Sequence, residues 1–146
     1  MNDAAAVTVR PATAEDAERF AALLTEEGYP AGATDLAARI ERFSAEDSRV
    51  LAAEASGEVI GFVAFHVMPR FETDERFARI VALVVDPGVR ARGIGRQLMT
   101  EAEVVAREAG ASFLEVTAGH HRPEARKLFE SLGYDAGLAA YLRKRP

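Results

Sequence analysis

The chain of 146 residues contains no cysteine and no tryptophan. Without cysteine there is no disulfide framework, no thiolate catalysis and no zinc site built on Cys ligands. No apolar run approaches the ~18 residues of a membrane span. The start, "MNDAAAVTVRP", lacks the basic stretch followed by an apolar core that marks a signal peptide. The expectation is a cytoplasmic protein with no membrane partner. Positive charge is also in short supply, 18 Lys and Arg against 23 Asp and Glu for a net charge of −5, which argues against a nucleic-acid partner. What the chain does have is apolar residues, 49% of it, enough for one buried core. Residues 1–146 therefore read as a single domain, with no repeat or linker-like tract to divide them.

The apolar residues recur at two periods. Val7 to Arg10 reads as a short strand stopped by Pro11. Thr13 follows as a helix N-cap with Asp16 three residues on, and Ala17, Phe20, Ala21 and Leu24 give one apolar face before Gly28. A second helix starts near Thr34 and carries Leu36, Ile40 and Phe43. "RVLAAEASGEVIGFVAFHV" is a hairpin about Ser56-Gly57, and its second arm is apolar on both faces, as a strand covered on both sides requires. Phe77 to Val85 is a further two-sided strand ending at Asp86-Pro87-Gly88. A helix through Leu98, Ala102 and Val105 runs to Gly110; a strand follows at Phe113 to Ala118. A helix with Pro123 in its first turn closes at Gly133, and a last strand lies near Leu138 to Arg143. This order predicts an α/β fold, a mixed and mostly antiparallel central sheet with helices on both faces.

One segment stands out against the acidic background. In "VVDPGVRARGIGRQLM", residues 84–99, Arg90, Arg92 and Arg96 fall around Gly93 and Gly95 at the mouth of a helix. Cations there oppose the helix dipole, so a bound anion accounts for them better than solvation does. Glycine lets a phosphate approach the backbone where a Cβ would obstruct it, and Arg adds charge-assisted hydrogen bonds. The pattern matches neither the P-loop, G-x-x-x-x-G-K-[ST], nor the dinucleotide fingerprint G-x-G-x-x-G.

The arrangement Arg90-Ala91-Arg92-Gly93-Ile94-Gly95 after "LVVDP" is an R-x-x-G-x-G, and it resembles the pyrophosphate loop of the GNAT superfamily of N-acetyltransferases. "HRPEARKLFESLGYD", residues 121–135, is similar to that family's second signature, and the element order agrees over nearly the whole chain. The resemblance implies a GNAT fold with acetyl-CoA as cosubstrate. It implies that Leu83, Val84 and Val85 offer backbone groups to the pantetheine arm. Arg90, Ala91, Arg92, Gly93, Ile94, Gly95 and Arg96 would cradle the pyrophosphate, and Arg126 and Phe129 would face the cosubstrate's thiol end.

The resemblance also shows where this chain departs from its family. Relatives often carry a Glu on the fourth strand, where this chain has Ile80-Val81-Ala82-Leu83. The amine still has to be deprotonated, since an ordinary primary amine has a pKa near ~10.4. His66 is the candidate base by intrinsic pKa, although its alternation with Ile60, Phe62 and Ala64 equally suits a core residue. Glu72, Asp74 and Glu75 are alternatives, and Glu115 is left open between base and surface. The family's proton donor is a Tyr, and Phe129 stands at that place; Tyr134 and Tyr141 are the replacements to weigh. A thiol leaves with a pKa of about 8.5, so catalysis survives without a donor.

Family members shape the acceptor site from their first helices, which nominates Glu26, Glu27, Tyr29 and Pro30 here, together with Glu72 in the loop at 68–76. Acid in both segments suits a cationic acceptor. His120-His121 is not read as a metal site, because adjacent residues rarely ligate one ion. The favoured function is therefore transfer of an acetyl group from acetyl-CoA to a primary amine of a small molecule. A protein or peptide N-acetyltransferase and a catalytically silent acyl-CoA-binding module are the alternatives. A homodimer is expected from the resemblance alone.

Overall fold

The computed structural model describes residues 6–89, 92–117, 123–136 and 142–146. Arg90, Ala91, His120, His121, Tyr141 and most of the expected last strand lie outside these residues.

The chain folds in the order β1 (Thr8–Pro11), α1 (Ala17–Glu26), α2 (Ala33–Arg42), β2 (Ser48–Ala55), β3 (Glu58–Pro69), β4 (Arg76–Val85), α3 (Ile94–Glu108), β5 (Ala111–Val116) and α4 (Pro123–Ser131). The five strands form one sheet in chain order. All neighbours are antiparallel except β4 and β5, which are parallel because α3 carries the chain back across the sheet. The mixed, mostly antiparallel architecture is the one expected. Boundaries differ slightly: β5 runs from Ala111 to Val116, two residues earlier at each end than its apolar pattern suggests.

Asp16 organises the entry to α1. Its carboxylate accepts the Thr13 N–H at 2.8 Å and both Arg10 Nη atoms at 2.9 Å, so β1 and the first helix are joined by one buried acid. Arg10 holds the Asp16 carboxyl below the usual carboxylate range, chiefly by hydrogen bonding.

Two apolar layers sandwich the sheet. On one face α1 and α2 bring Phe20, Leu23, Leu36 and Ile40 against Ala52, Val59, Phe62 and Val84. Phe20 stacks on Phe62 with ring centroids 4.1 Å apart. On the other face α3 contributes Leu98, Met99, Ala102 and Ala106, and α4 contributes Phe129, over Val63, Phe65, Ala78 and Ile80. Each fully buried side chain of this size is worth about 1.5–3 kcal/mol, so these layers dominate the stability.

Two bulges interrupt the alternation. Between β2 and β3 the register skips Ile60, which joins the α3 layer rather than sharing the Phe62 face as simple alternation implies. Between β3 and β4 the register steps from Phe65↔Ile80 to Ala64↔Ala82, leaving Val81 as the extra residue. In consequence Ala78, Ile80, Leu83 and Val85 all pack toward α3, while Ala82 and Val84 pack toward α1 and α2.

Candidate active site

β4 and β5 pair only from Arg76↔Ala111 to Ile80↔Val116. Beyond that point the stretch from Val81 to Val85 has no neighbour on the β5 side among the described residues. Val81, at the bulge where the strands part, is 41% exposed.

Which backbone groups face the opening follows from two contacts. The Asp86 N–H donates to the Ile60 carbonyl at 2.8 Å, and the Val84 carbonyl oxygen faces Gly61, where a Cβ would stand 2.8 Å from it. Val84 therefore turns its polar groups to β3. Strand alternation then directs the groups of Leu83 and Val85 to the open side. Of the three residues expected to offer backbone groups to a ligand, Leu83 and Val85 turn theirs to the open side, whereas Val84 turns its own to the sheet.

The turn after β4 is tied down by Asp86. Its Oδ1 accepts the Gly88 N–H at 2.9 Å, and its Oδ2 pairs with Arg19 of α1. Arg19 also donates to the Val59 carbonyl at 2.9 Å, so α1, β3 and the turn are held by one guanidinium.

α3 begins at Gly93, whose φ of 79° is a left-handed conformation that glycine adopts without strain. No side chain caps the helix there, and a Cβ on Gly93 would meet nothing within 4 Å. The first helical hydrogen bond is Gln97 N–H to the Gly93 carbonyl. The amides of Ile94, Gly95 and Arg96 thus stand at an uncapped N-terminus, the positive end of a helix of 15 residues. Gly95 is needed for packing: a Cβ there would lie 3.0 Å from Leu128 Cδ2, 3.9 Å from Val85 Cγ2 and 4.0 Å from Leu83 Cδ2. Its missing side chain lets Leu128 of α4 pack against the first turn of α3. Outward-facing amides on a strand leading to helix N-terminal amides that no described side chain caps suit an extended amide-bearing chain that ends in a diphosphate.

The arginines divide. Arg92 is exposed beside Gly93. Arg96 reaches away to Ser131 Oγ at 2.6 Å and joins α3 to α4. Arg126 pairs with Glu130 along the exposed side of α4 at 3.3 Å. Phe129 is buried in the α3 layer, edge-on to the Tyr134 ring at 5.9 Å.

The expected proton-transfer groups are not brought together. His66 is half-buried, stacks on Phe43 at 4.8 Å and shares a 2.9 Å hydrogen bond between Nδ1 and Ser48 Oγ. Tyr134 donates its hydroxyl to Glu103 of α3 at 2.8 Å, and burial followed by that bond pushes its pKa up. Tyr29 is 62% exposed after α1, and Glu72 lies 3.6 Å from Arg70 in the β3–β4 loop. A groove of about 510 Å³ runs between α1 and α2 past Glu18, Thr25, Glu26 and Ala31, and Tyr29 does not line it.

Sequence reasoning left two contributors unassigned. Leu128 reads as a core residue from its helical spacing, and only its contact with Gly95 places it beside the β4 edge. Arg79 shows no motif; its pairing with Glu115 at 2.6 Å exists only through the parallel register.

The match to known proteins follows the same geometry. The model of the acetyltransferase (GNAT) family matches residues 14–134, which span the sheet from β2, the turn, α3 and α4. The chain belongs to the GNAT acetyltransferase family. An uncharacterised N-acetyltransferase, YhfO of Bacillus subtilis (strain 168), is 34% identical over 113 residues, 76% of this chain and 74% of that protein. An aminoalkylphosphonate N-acetyltransferase of Salmonella typhimurium is 34% identical over 79 residues, 54% of this chain and 51% of the relative. Among solved structures, an aminoglycoside N-acetyltransferase in complex with CoA has a TM-score of 0.83 at 19% identity, covering 100% of this chain and 99% of its own. As a GNAT acetyltransferase the chain is an acyltransferase enzyme.

Proposed function

We propose that this GNAT protein transfers an acetyl group from acetyl-CoA to a primary amine of a small molecule, by direct attack of the amine while both substrates are bound. The observation that carries this reading is the continuity of the open β4 edge with the uncapped start of α3. Leu83 and Val85 offer amide and carbonyl groups to the pantetheine arm as an added strand would. The amides of Ile94, Gly95 and Arg96 receive the pyrophosphate, with Arg92 beside them. The thioester of acetyl-CoA supplies the activated acyl carbon and a leaving group with a thiol pKa of about 8.5.

The chain's own part is positioning. Holding amine and acyl carbon in contact replaces an encounter in solution with a step inside one complex. Strand amides aimed at the carbonyl oxygen stabilise charge as it develops. A small amine as acceptor is supported by the names of two similar proteins, which act on aminoalkylphosphonates and aminoglycosides. Tyr134 serves as a brace between the end of α4 and α3, because its hydroxyl is spent on Glu103.

Calorimetric titration with acetyl-CoA, followed by thiol release with a panel of small amines, tests the reading. Saturable binding with amine-dependent thiol release is expected. Absence of acetyl-CoA binding refutes it, and binding without release from any amine or peptide identifies a silent module.

A further inference from the structure

From Val81 to Arg96, the stretch read as the cosubstrate's seat, the sequence carries three arginines and a single carboxylate, Asp86. An uncompensated acid at that place repels a diphosphate. We infer that Arg19 of α1 is a positioning residue of the acetyl-CoA site: it neutralises Asp86 and holds it against the sheet, so that the diphosphate meets no net negative charge from the turn. The inference rests on the acetyl-CoA reading above and brings into that site a residue more than 70 positions upstream of the Gly-rich loop.

Asp86 lies between the two halves of the site. Its neighbour Val85 ends the open edge and reaches the first turn of α3, where a Cβ on Gly95 would stand 3.9 Å from Val85 Cγ2. The Asp86 N–H donates to the Ile60 carbonyl at 2.8 Å, and its own carbonyl accepts the Val89 N–H at 3.0 Å. With Oδ1 accepting the Gly88 N–H at 2.9 Å, the acid is fixed in the turn and cannot swing away from a ligand. Its side chain is only 24% exposed, so water and salt screen it incompletely.

Arg19 is placed for this one partner. The next residue, Phe20, is anchored by its stack on Phe62, which fixes where Arg19 leaves the helix. Nε donates to the Val59 carbonyl at 2.9 Å while Nη2 donates to Asp86 Oδ2. Two donations from one rigid planar group suit a guanidinium and not an ammonium. Glu58 also approaches Arg19, but its Oε2 is 4.0 Å from Nε and its side chain is 66% exposed, so the positive charge is spent chiefly on Asp86. Acetyl-CoA affinity should therefore follow the net charge of the Arg19–Asp86 pair, and not merely the presence of the bond.

Calorimetric titration with acetyl-CoA tests this in wild type, Arg19→Gln, Arg19→Lys, Asp86→Asn and the Arg19→Gln/Asp86→Asn double variant, in low salt and in about 0.5 M salt, with melting temperatures measured alongside. Asn at position 86 keeps an oxygen for the Gly88 N–H. In low salt Arg19→Gln is expected to bind about 10-fold more weakly than wild type, and the loss is expected to shrink to about 3-fold in high salt. Asp86→Asn is expected to bind about 3-fold more tightly, and the double variant to return to within about 3-fold of wild type although it has no ion pair. Arg19→Lys, which keeps the charge and loses the planar fork, is expected to melt lower while retaining most of the affinity. A double variant as weak as Arg19→Gln overturns the inference, and so does an Arg19→Gln loss that is absent or indifferent to salt. Should Arg19→Gln fail to fold, weaker binding by Asp86→Asn than by wild type overturns it. Failure of wild type to bind acetyl-CoA at all overturns instead the reading on which the inference rests.

Discussion

Gly95 lies against Leu128 so closely that a Cβ on the glycine would stand 3.0 Å from the leucine Cδ2. Gly93, two residues earlier, opens onto free space. The two glycines of the loop therefore fail in different ways when replaced. Gly95→Ala displaces Leu128 by a few tenths of an ångström and is expected to cost about 1 kcal/mol, read as a lower melting temperature. Gly93→Asp is expected to cost about 1 kcal/mol from the left-handed φ of 79° rather than from any clash, and to weaken acetyl-CoA binding at least ~10-fold by placing its own carboxylate on the amides. Calorimetry distinguishes them, and unchanged affinity in Gly93→Asp contradicts the phosphate assignment.

Asp16 sets an acid limit on stability. Its folded pKa is depressed by Arg10, so the stabilisation it contributes is complete above the unfolded carboxylate value near ~4. It is lost as pH falls from there through the folded value. Asp16→Asn is expected to lower stability by about 2 kcal/mol at pH 7 and to flatten its dependence below pH ~4. Urea denaturation across that range is the measurement, and parallel curves for the two proteins would count against the pair.

Asp86 joins Arg19 to the turn that feeds the candidate phosphate loop. Asp86→Ala removes the Gly88 contact and the Arg19 partner together, with an expected stability loss of about 1–2 kcal/mol. Because the turn sets where α3 begins, acetyl-CoA affinity should fall more than for a surface change of equal stability cost. Equal affinity at saturating folded fraction would show that the loop keeps its shape without the acid.

Tyr134→Phe tests the brace against a proton donor. Losing the bond to Glu103 is expected to cost about 1 kcal/mol while kcat stays within twofold of wild type. A tenfold fall in kcat with an unchanged melting temperature would return Tyr134 to the chemistry.

The sheet, its helix layers and the Gly-rich helix start were legible because each depends on local signals: period, turn residues and the glycine pair. The functional groups were less so. Leu83, Val84 and Val85 look equivalent as a string, and only the contacts of Gly61 and Asp86 reveal that Val84 turns inward. The resemblance puts Arg96 at the pyrophosphate and Arg126 at the cosubstrate's thiol end, but their side chains are engaged with Ser131 and Glu130 on α4. Arg79 and Glu115 are 36 positions apart in the chain, and nothing local announces a pairing made by a crossover.

The single surplus residue at Val81 has a further consequence. Deleting Val81 would let Ala82↔Ala64 follow Ile80↔Phe65 directly, an uninterrupted ladder that leaves Leu83 and Val85 turned the same way, so the surplus residue bends the strand at the fork without choosing which peptides face it.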